Sequence, residues 1–321
     1  MSNSRPAVPR PSHAASGSVD RPAAPEPAGA PSAQLQGALL VAASAAAFGA
    51  LPIFARLAYA AGVDLYGILV PRFAIGAMML ALIAMARGLH WPRGRTLVAA
   101  LAMGGLGYTG QSFLYFSALQ YADASLVALL LYSFPFIVAL LAAVFLHERL
   151  DRARIIALGA AGAGLVMTIG GGHGAPLGIA LGLGAALVYA VYIIVGSQVL
   201  REVDPITSSC VICTAAAISY SLIAIGRGFA GAQTSWPASV HGWLPVLALA
   251  VVSTVLAIGA FFAGLQRLGA TPTSVLSTLE PVVSVALAAL VLNERLGALQ
   301  LLGGAVIIGT AIWLALRPAP R

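Results

Sequence analysis

Lysine is absent from the 321 residues, and charged residues of any kind make up only 8% of them. A water-soluble domain carries roughly 25%, so the chain is excluded from that class and most of its surface must meet lipid. The net charge of +7 is all arginine. Those arginines are scattered between apolar runs and form no basic face, which excludes a nucleic-acid partner. Cysteine is nearly absent as well: Cys210 and Cys213 have CxxC spacing inside an apolar run, with no His or acidic neighbour in sequence. They read as small packing residues of a helix, not as a metal or redox pair. The five histidines are dispersed and offer no metal-ligand pair. Phosphate loops, nucleophile elbows and paired catalytic carboxylates are missing, so no cofactor is expected and nothing would bind ATP.

What remains is apolar sequence, 60% of the residues at a mean hydropathy of +0.94. A spanning helix needs about 20 apolar residues, and the chain divides into ten such runs: 35–57, 65–86, 96–118, 123–146, 154–171, 176–198, 206–226, 243–265, 271–292 and 298–316. The segment 227–242 is the one longer loop. Residues 1–34 hold seven of the nineteen prolines with Ala, Ser and Gly and no signal-like run, so they are expected to be a disordered cytoplasmic tail; residues 317–321 form a short second tail. With the N-terminus inside, thirteen arginines fall on the inner side and three on the outer, with Arg72 left within a span. The positive-inside rule therefore predicts cytoplasmic termini in an inner or plasma membrane.

The stretch from Pro135 to Leu150, ending His147-Glu148-Arg149-Leu150, is echoed by Pro281 to Leu296, ending Asn293-Glu294-Arg295-Leu296, at a constant offset of 146 residues. The same offset pairs Gln120 with Gln266 and Phe116 with Phe262. The chain thus falls into two five-helix repeats, 35–171 and 172–316, and an odd number of spans per repeat inserts the second upside down. Inverted halves exchange conformations and so alternate access to a central site. The fold class read here is an all-α integral membrane protein of ten helices in two inverted repeats.

In its Pro…Glu-Arg-Leu endings, Leu279-Glu280-Pro281, Pro71-Arg72-Phe73 and Phe48-Gly49, the chain resembles the EamA-like transporters of the drug/metabolite transporter superfamily over about residues 35–316. Phe48 stands where such proteins often carry Trp, and the second copy has Tyr189-Ala190 there, which leaves the substrate class open. The resemblance implies a central cavity and transport of small metabolites, frequently amino acids.

Glu280 is the acidic residue placed deep inside a span, about 14 Å along its helix at 1.5 Å per residue. Thr273, Ser277, Glu280 and Ser284 follow helical steps and predict one polar stripe. A carboxylate at that depth faces a cavity, pairs with a cation or takes up a proton, or else fixes packing through serines and backbone. Pro281 cannot bond the carbonyl of Ser277, nor Pro135 that of Leu131, so both helices are expected to kink at mid-membrane. Arg72 could bind a carboxylate bidentately or pair with Glu280; the plainer alternative is snorkelling to the outer surface. Tyr108, Gln111 and Tyr115 share a face, as do Tyr189 and Tyr192, and Tyr132 lies one turn before Pro135; tyrosines on a cavity wall stack on a substrate and select its orientation, or simply pack the core. The expectation is a secondary exporter of small metabolites, with amino acids or related zwitterions first and substrate or proton gradients as driving force. A drug or organic-cation exporter is the alternative, and an intramembrane enzyme acting on lipid a distant one, because a lone carboxylate is a poor catalytic set. The partners expected are a small-molecule substrate, membrane lipid and protons.

Overall fold

The computed structural model describes residues 31–145, 152–200 and 203–316. The Glu148-Arg149-Leu150 ending of the first repeat, most of the N-terminal tail and residues 317–321 lie outside the described residues. Among the described residues all regular structure is helical, apart from one isolated bridge between Ala122 and Gly174. We number the helices α1 (Pro31–Gly49, continued by Leu51–Ala60), α2 (Leu65–Ala86), α3 (Gly94–Ala118), α4 (Ala124–Leu131 and Phe134–Phe145), α5 (Arg152–Gly171), α6 (Pro176–Val199), α7 (Pro205–Phe229), α8 (Val240–Leu268), α9 (Ala270–Ser277 and Leu279–Val291) and α10 (Ala298–Ala315). Eight of these helical stretches are long and apolar enough to cross a membrane; Ile155–Gly171 and Ala298–Trp313 are shorter apolar helices.

Local chemistry sets the starts and stops. The Asp64 carboxylate accepts from Gly67 N at 2.7 Å and opens α2, and Asp204, followed by Pro205, accepts from the amides of Ile206 and Thr207 at α7. Both satisfy amides that have no partner inside the helix. Gly269, at φ 79°, lets the chain leave α8 and enter α9 with no intervening loop, a conformation costly for any residue with a Cβ. Helix α7 runs on through Phe229, so the expected loop 227–242 is shorter than its sequence suggests. Arg227 lies over the Tyr66 ring at 4.6 Å, and its carbonyl accepts from Ala232 N at 2.9 Å, which winds the chain three residues further.

The tightest neighbours are α2 with α7, α5 with α10, α1 with α8 and α3 with α6, while α4 packs on α6 and α9, and α9 on α1. Apolar side chains such as Met78, Leu82, Val166 and Leu222 are more than half exposed on the outer faces, where a lipid phase would cover them. The interior is equally apolar, with Phe73, Phe116, Leu130 and Tyr220 almost fully buried. Cys210 and Cys213 are buried there, the Cys210 thiol donating to Ala77 O at 3.4 Å, as small packing residues would be.

Two ends of the bundle differ. At the end holding Pro31, Val199 and Leu268, the Thr207 hydroxyl donates to His90 O at 3.1 Å, and Gly37 lies against Arg267 and Leu268. At the opposite end, turns interlock: Arg56 Nη1 donates to Leu119 O at 2.7 Å, Asp123 N to His173 O at 3.0 Å and Ala175 N to Tyr121 O at 2.8 Å.

Candidate functional site

Helices α4 and α9 are each broken in two, at Tyr132–Ser133 and at Thr278, each break beginning three residues before its proline, Pro135 or Pro281. The ring of proline removes a helix hydrogen bond and crowds the preceding turn, so the breaks follow from the sequence. They meet in the centre of the bundle: the Tyr132 hydroxyl lies 2.9 Å from Glu280 Oε2 and 3.1 Å from Ser277 O. The carbonyl that Pro281 deprives of its partner thus finds one on the other broken helix. A phenol has one hydrogen, so the two acceptors compete for it.

Around this junction lies a cavity of about 860 Å³. Glu280, Ser277, Arg72, Tyr108, Gln111, Tyr132, Tyr189 and Pro135 all line it, so the sequence candidates from α2, α3, α4, α6 and α9 are brought together; Pro281 is buried behind the wall. On α6 and α9 the lining runs from Tyr189 to Ser197 and from Glu280 back to Ser274. The cavity therefore extends from the middle of the bundle toward the end that holds Pro31, Val199 and Leu268, and stops short of the interlocked turns.

The expected polar stripe on α9 is split. Ser277 and Glu280 face the cavity, but Ser284 donates to Gly49 O at 2.8 Å against α1, and Thr273 is buried with its hydroxyl on Gly269 O at 2.7 Å. The two residues that share the cavity flank the break at Thr278, and the stripe is lost one turn further out on each side, where Thr273 and Ser284 turn into backbone contacts instead. Gly49 explains the tight crossing of α1: a Cβ there would meet Glu280 O at 2.7 Å and Val283 Cβ at 2.9 Å.

Arg72 does not snorkel. It is 2% exposed, with the Phe73 and Phe116 rings 5.0 and 5.2 Å from its guanidinium carbon and its Nε donating to Thr254 Oγ1 at 3.3 Å. Among the described residues no carboxylate lies within 4.0 Å of it, and no cation within that distance of Glu280. The two charges share one cavity but are not each other's partners.

Much of the remaining wall is aromatic. The Phe134 and Tyr189 rings meet edge-on at 4.8 Å, and Tyr189 stacks on Tyr192 at 6.2 Å. Tyr192 itself stays behind the lining, whereas Tyr115, Phe116, Phe261 and Phe262 reach it. Phe116 and Phe262 are the pair matched by the internal repeat, which was the signal available for them; Phe134 and Ser44 carried none.

Glu294, seen in sequence as the end of a repeated motif, sits at the interlocked end. Its carboxylate accepts from Ala124 N at 2.7 Å, Ser125 N at 3.0 Å and the Ser125 hydroxyl at 2.6 Å, and Gln300 Nε2 donates to Ser125 Oγ at 3.1 Å. An anion placed on the first amides of α4 meets both their hydrogen bonds and the positive end of the helix dipole.

Compared with known proteins, residues 35–170 and 176–316 each match the EamA-like transporter family. The chain is 26% identical to the uncharacterized transporter YcbK of Bacillus subtilis over 80% of its length and 85% of that protein's. It is 27% identical to the threonine/homoserine exporter RhtA of Salmonella typhimurium over 79% of its length and 84% of that protein's. To the "Probable terminal-alkyne amino-acid exporter" of Streptantibioticus cattleyicolor it is 26% identical, over 81% of its length and 88% of that protein's.

Proposed function

The chain belongs to the EamA-like transporter family, and from that premise we propose that it exports amino acids or related zwitterions by alternating access. It is a transporter and a multi-pass membrane protein. The observation that carries the substrate class is that Arg72 and Glu280, each without a counter-charge within 4.0 Å among the described residues, line one cavity. A buried charge is costly until a counter-charge arrives, and a zwitterion brings both: its carboxylate to the Arg72 guanidinium, its ammonium to Glu280. Tyr108, Gln111, Tyr132, Tyr189 and Ser277 orient it. The two relatives named as exporters are named for amino acids with different side chains, and the shared head group is what this pair of charges reads.

The architecture we assign is ten spans in two inverted repeats, 35–171 and 172–316, with 1–34 and 317–321 as tails. Support comes from the packing pattern: exchanging each helix with the one five places along turns α1 with α8 into α6 with α3, turns α1 with α9 into α6 with α4, and leaves α2 with α7, α5 with α10 and α4 with α9 unchanged. With both termini cytoplasmic in the inner or plasma membrane, the cavity faces the cytoplasm and the Glu294 end is the closed outer one. The empty carrier returns by taking a proton on Glu280.

Counterflow in proteoliposomes tests this with labelled L-threonine, L-leucine and L-phenylalanine and their decarboxylated amines, for wild type and Glu280→Gln, with and without a pH gradient. Exchange of an amino acid by wild type that responds to the pH gradient, with weaker exchange and no pH response in Glu280→Gln, is the expected result. Exchange of amines alone would select the organic-cation reading, which the Phe134–Tyr189 wall beside Glu280 favours. No exchange by folded protein would refute the transport reading of this substrate class.

A further inference from the structure

Helix α8 is not regular at mid-depth: Val251–Leu256 winds as a π-helix between two α-helical stretches. A π segment admits an extra residue into the turn, which rotates the following side chains by about 100° relative to an unbroken helix. Here that rotation has a visible use. Ser253 donates to Ala47 O at 2.6 Å, and the Ser44 hydroxyl to Ala257 O at 2.8 Å, so α1 grips the segment on both sides. With α8 pinned at that angle, Thr254 points at Arg72.

The Thr254 hydroxyl is polarised in a definite sense. Its one hydrogen goes to Leu249 O, five residues back and 2.9 Å away, leaving only its lone pairs toward the arginine, where Nε donates at 3.3 Å. Thr254 is 1% exposed and its methyl lies against Gly76 of α2, so the side chain has no freedom to turn away. The guanidinium is thereby held on three sides: its ε edge by Thr254 and its environs by the rings of Phe73 and Phe116. A planar fork so fixed, with the Tyr108 side chain beside it on the cavity lining, offers a carboxylate one set of directions in which to bind.

We propose that Thr254 is the positioning residue of the substrate arginine, setting the guanidinium for recognition of the substrate's carboxylate. This rests on the reading that Arg72 takes that carboxylate. Thr254 does not touch substrate itself; it acts through Arg72. An arginine that is charged but free to swing retains long-range attraction and loses the bidentate geometry, so the effect falls on discrimination between a carboxylate-bearing molecule and its amine.

The test uses whichever of L-threonine, L-leucine and L-phenylalanine exchanges in the counterflow assay, with the corresponding decarboxylated amine as competitor. The readout is the ratio of the two apparent affinities. Thr254→Val is expected to weaken the amino acid about tenfold with the amine unchanged and the maximal rate within about twofold, and Thr254→Ser to restore the wild-type ratio. Arg72→Lys, which keeps charge and loses the fork, should collapse the ratio at least as far. If Arg72→Lys keeps the wild-type ratio, or none of the three amino acids exchanges, the underlying reading fails and takes this inference with it. If Arg72→Lys collapses the ratio while Thr254→Val does not, or if Thr254→Val weakens amino acid and amine alike, only the positioning role is overturned.

Discussion

A single hydrogen atom decides much at the centre of this protein. The Tyr132 hydroxyl can donate to Glu280 or to the carbonyl of Ser277, 2.9 and 3.1 Å away, and an ionised carboxylate outcompetes a neutral carbonyl for it. Tyr132→Phe removes that hydrogen and leaves ring and volume in place. A hydrogen bond to a charged group is worth about 1.5–3 kcal/mol, so exchange should fall by about tenfold or more while the thermal midpoint of the purified protein moves by only a few degrees. Unchanged exchange in Tyr132→Phe would remove this contact from the transport mechanism. Glu280 and Arg72 were legible in the sequence because a charge inside an apolar run is expensive and therefore conspicuous. Thr254 was not, since a hydroxyl in such a run costs little and its partner lies 182 residues away. Tyr132 fell between: its place before Pro135 marked it, but nothing along the chain placed it against Glu280.

At the scale of elements, the breaks in α4 and α9 were foreseeable from Pro135 and Pro281, and their meeting was not, because the repeat fixes equivalent positions without fixing which helices touch. The same limit hid the contact with Gly49 O that takes Ser284 away from the cavity. Gly49 carries the consequence for packing: it lets α1 cross α9 at Glu280, and a methyl there would press on backbone as well as on Val283. Overpacking of this kind costs about 1–3 kcal/mol. Gly49→Ala should therefore lower the thermal midpoint by several degrees, whereas Gly162→Ala on α5, where nothing lies within 4 Å of the added Cβ, should leave it unchanged or raise it, since alanine is the better helix former. Equal midpoints for the two variants would show that α1 and α9 can slide apart without loss.

For the whole molecule, the unequal ends are the informative feature. One end is held by turn-to-turn hydrogen bonds and by Glu294 on the first amides of α4; the cavity runs toward the other. On the alternating-access mechanism proposed above, the first set must break to admit substrate from that side, and the equilibrium between the two states is set by a few kcal/mol. Glu294 contributes both charge at a helix N-terminus and two amide hydrogen bonds. Glu294→Gln keeps one acceptor and loses the charge, so it should shift the population toward the state open at that end by about three- to tenfold. A cysteine at Leu119, fully buried beneath that end, reports the shift when Cys210 and Cys213 are replaced by alanine: its labelling by a membrane-impermeant maleimide should rise by the same factor in Glu294→Gln, and saturating amino acid should modulate it in both proteins. Identical labelling rates would mean that the interlocked turns, not the glutamate, keep that end shut, and Arg56→Gln, which loses the bond to Leu119 O, would then be the variant that opens it.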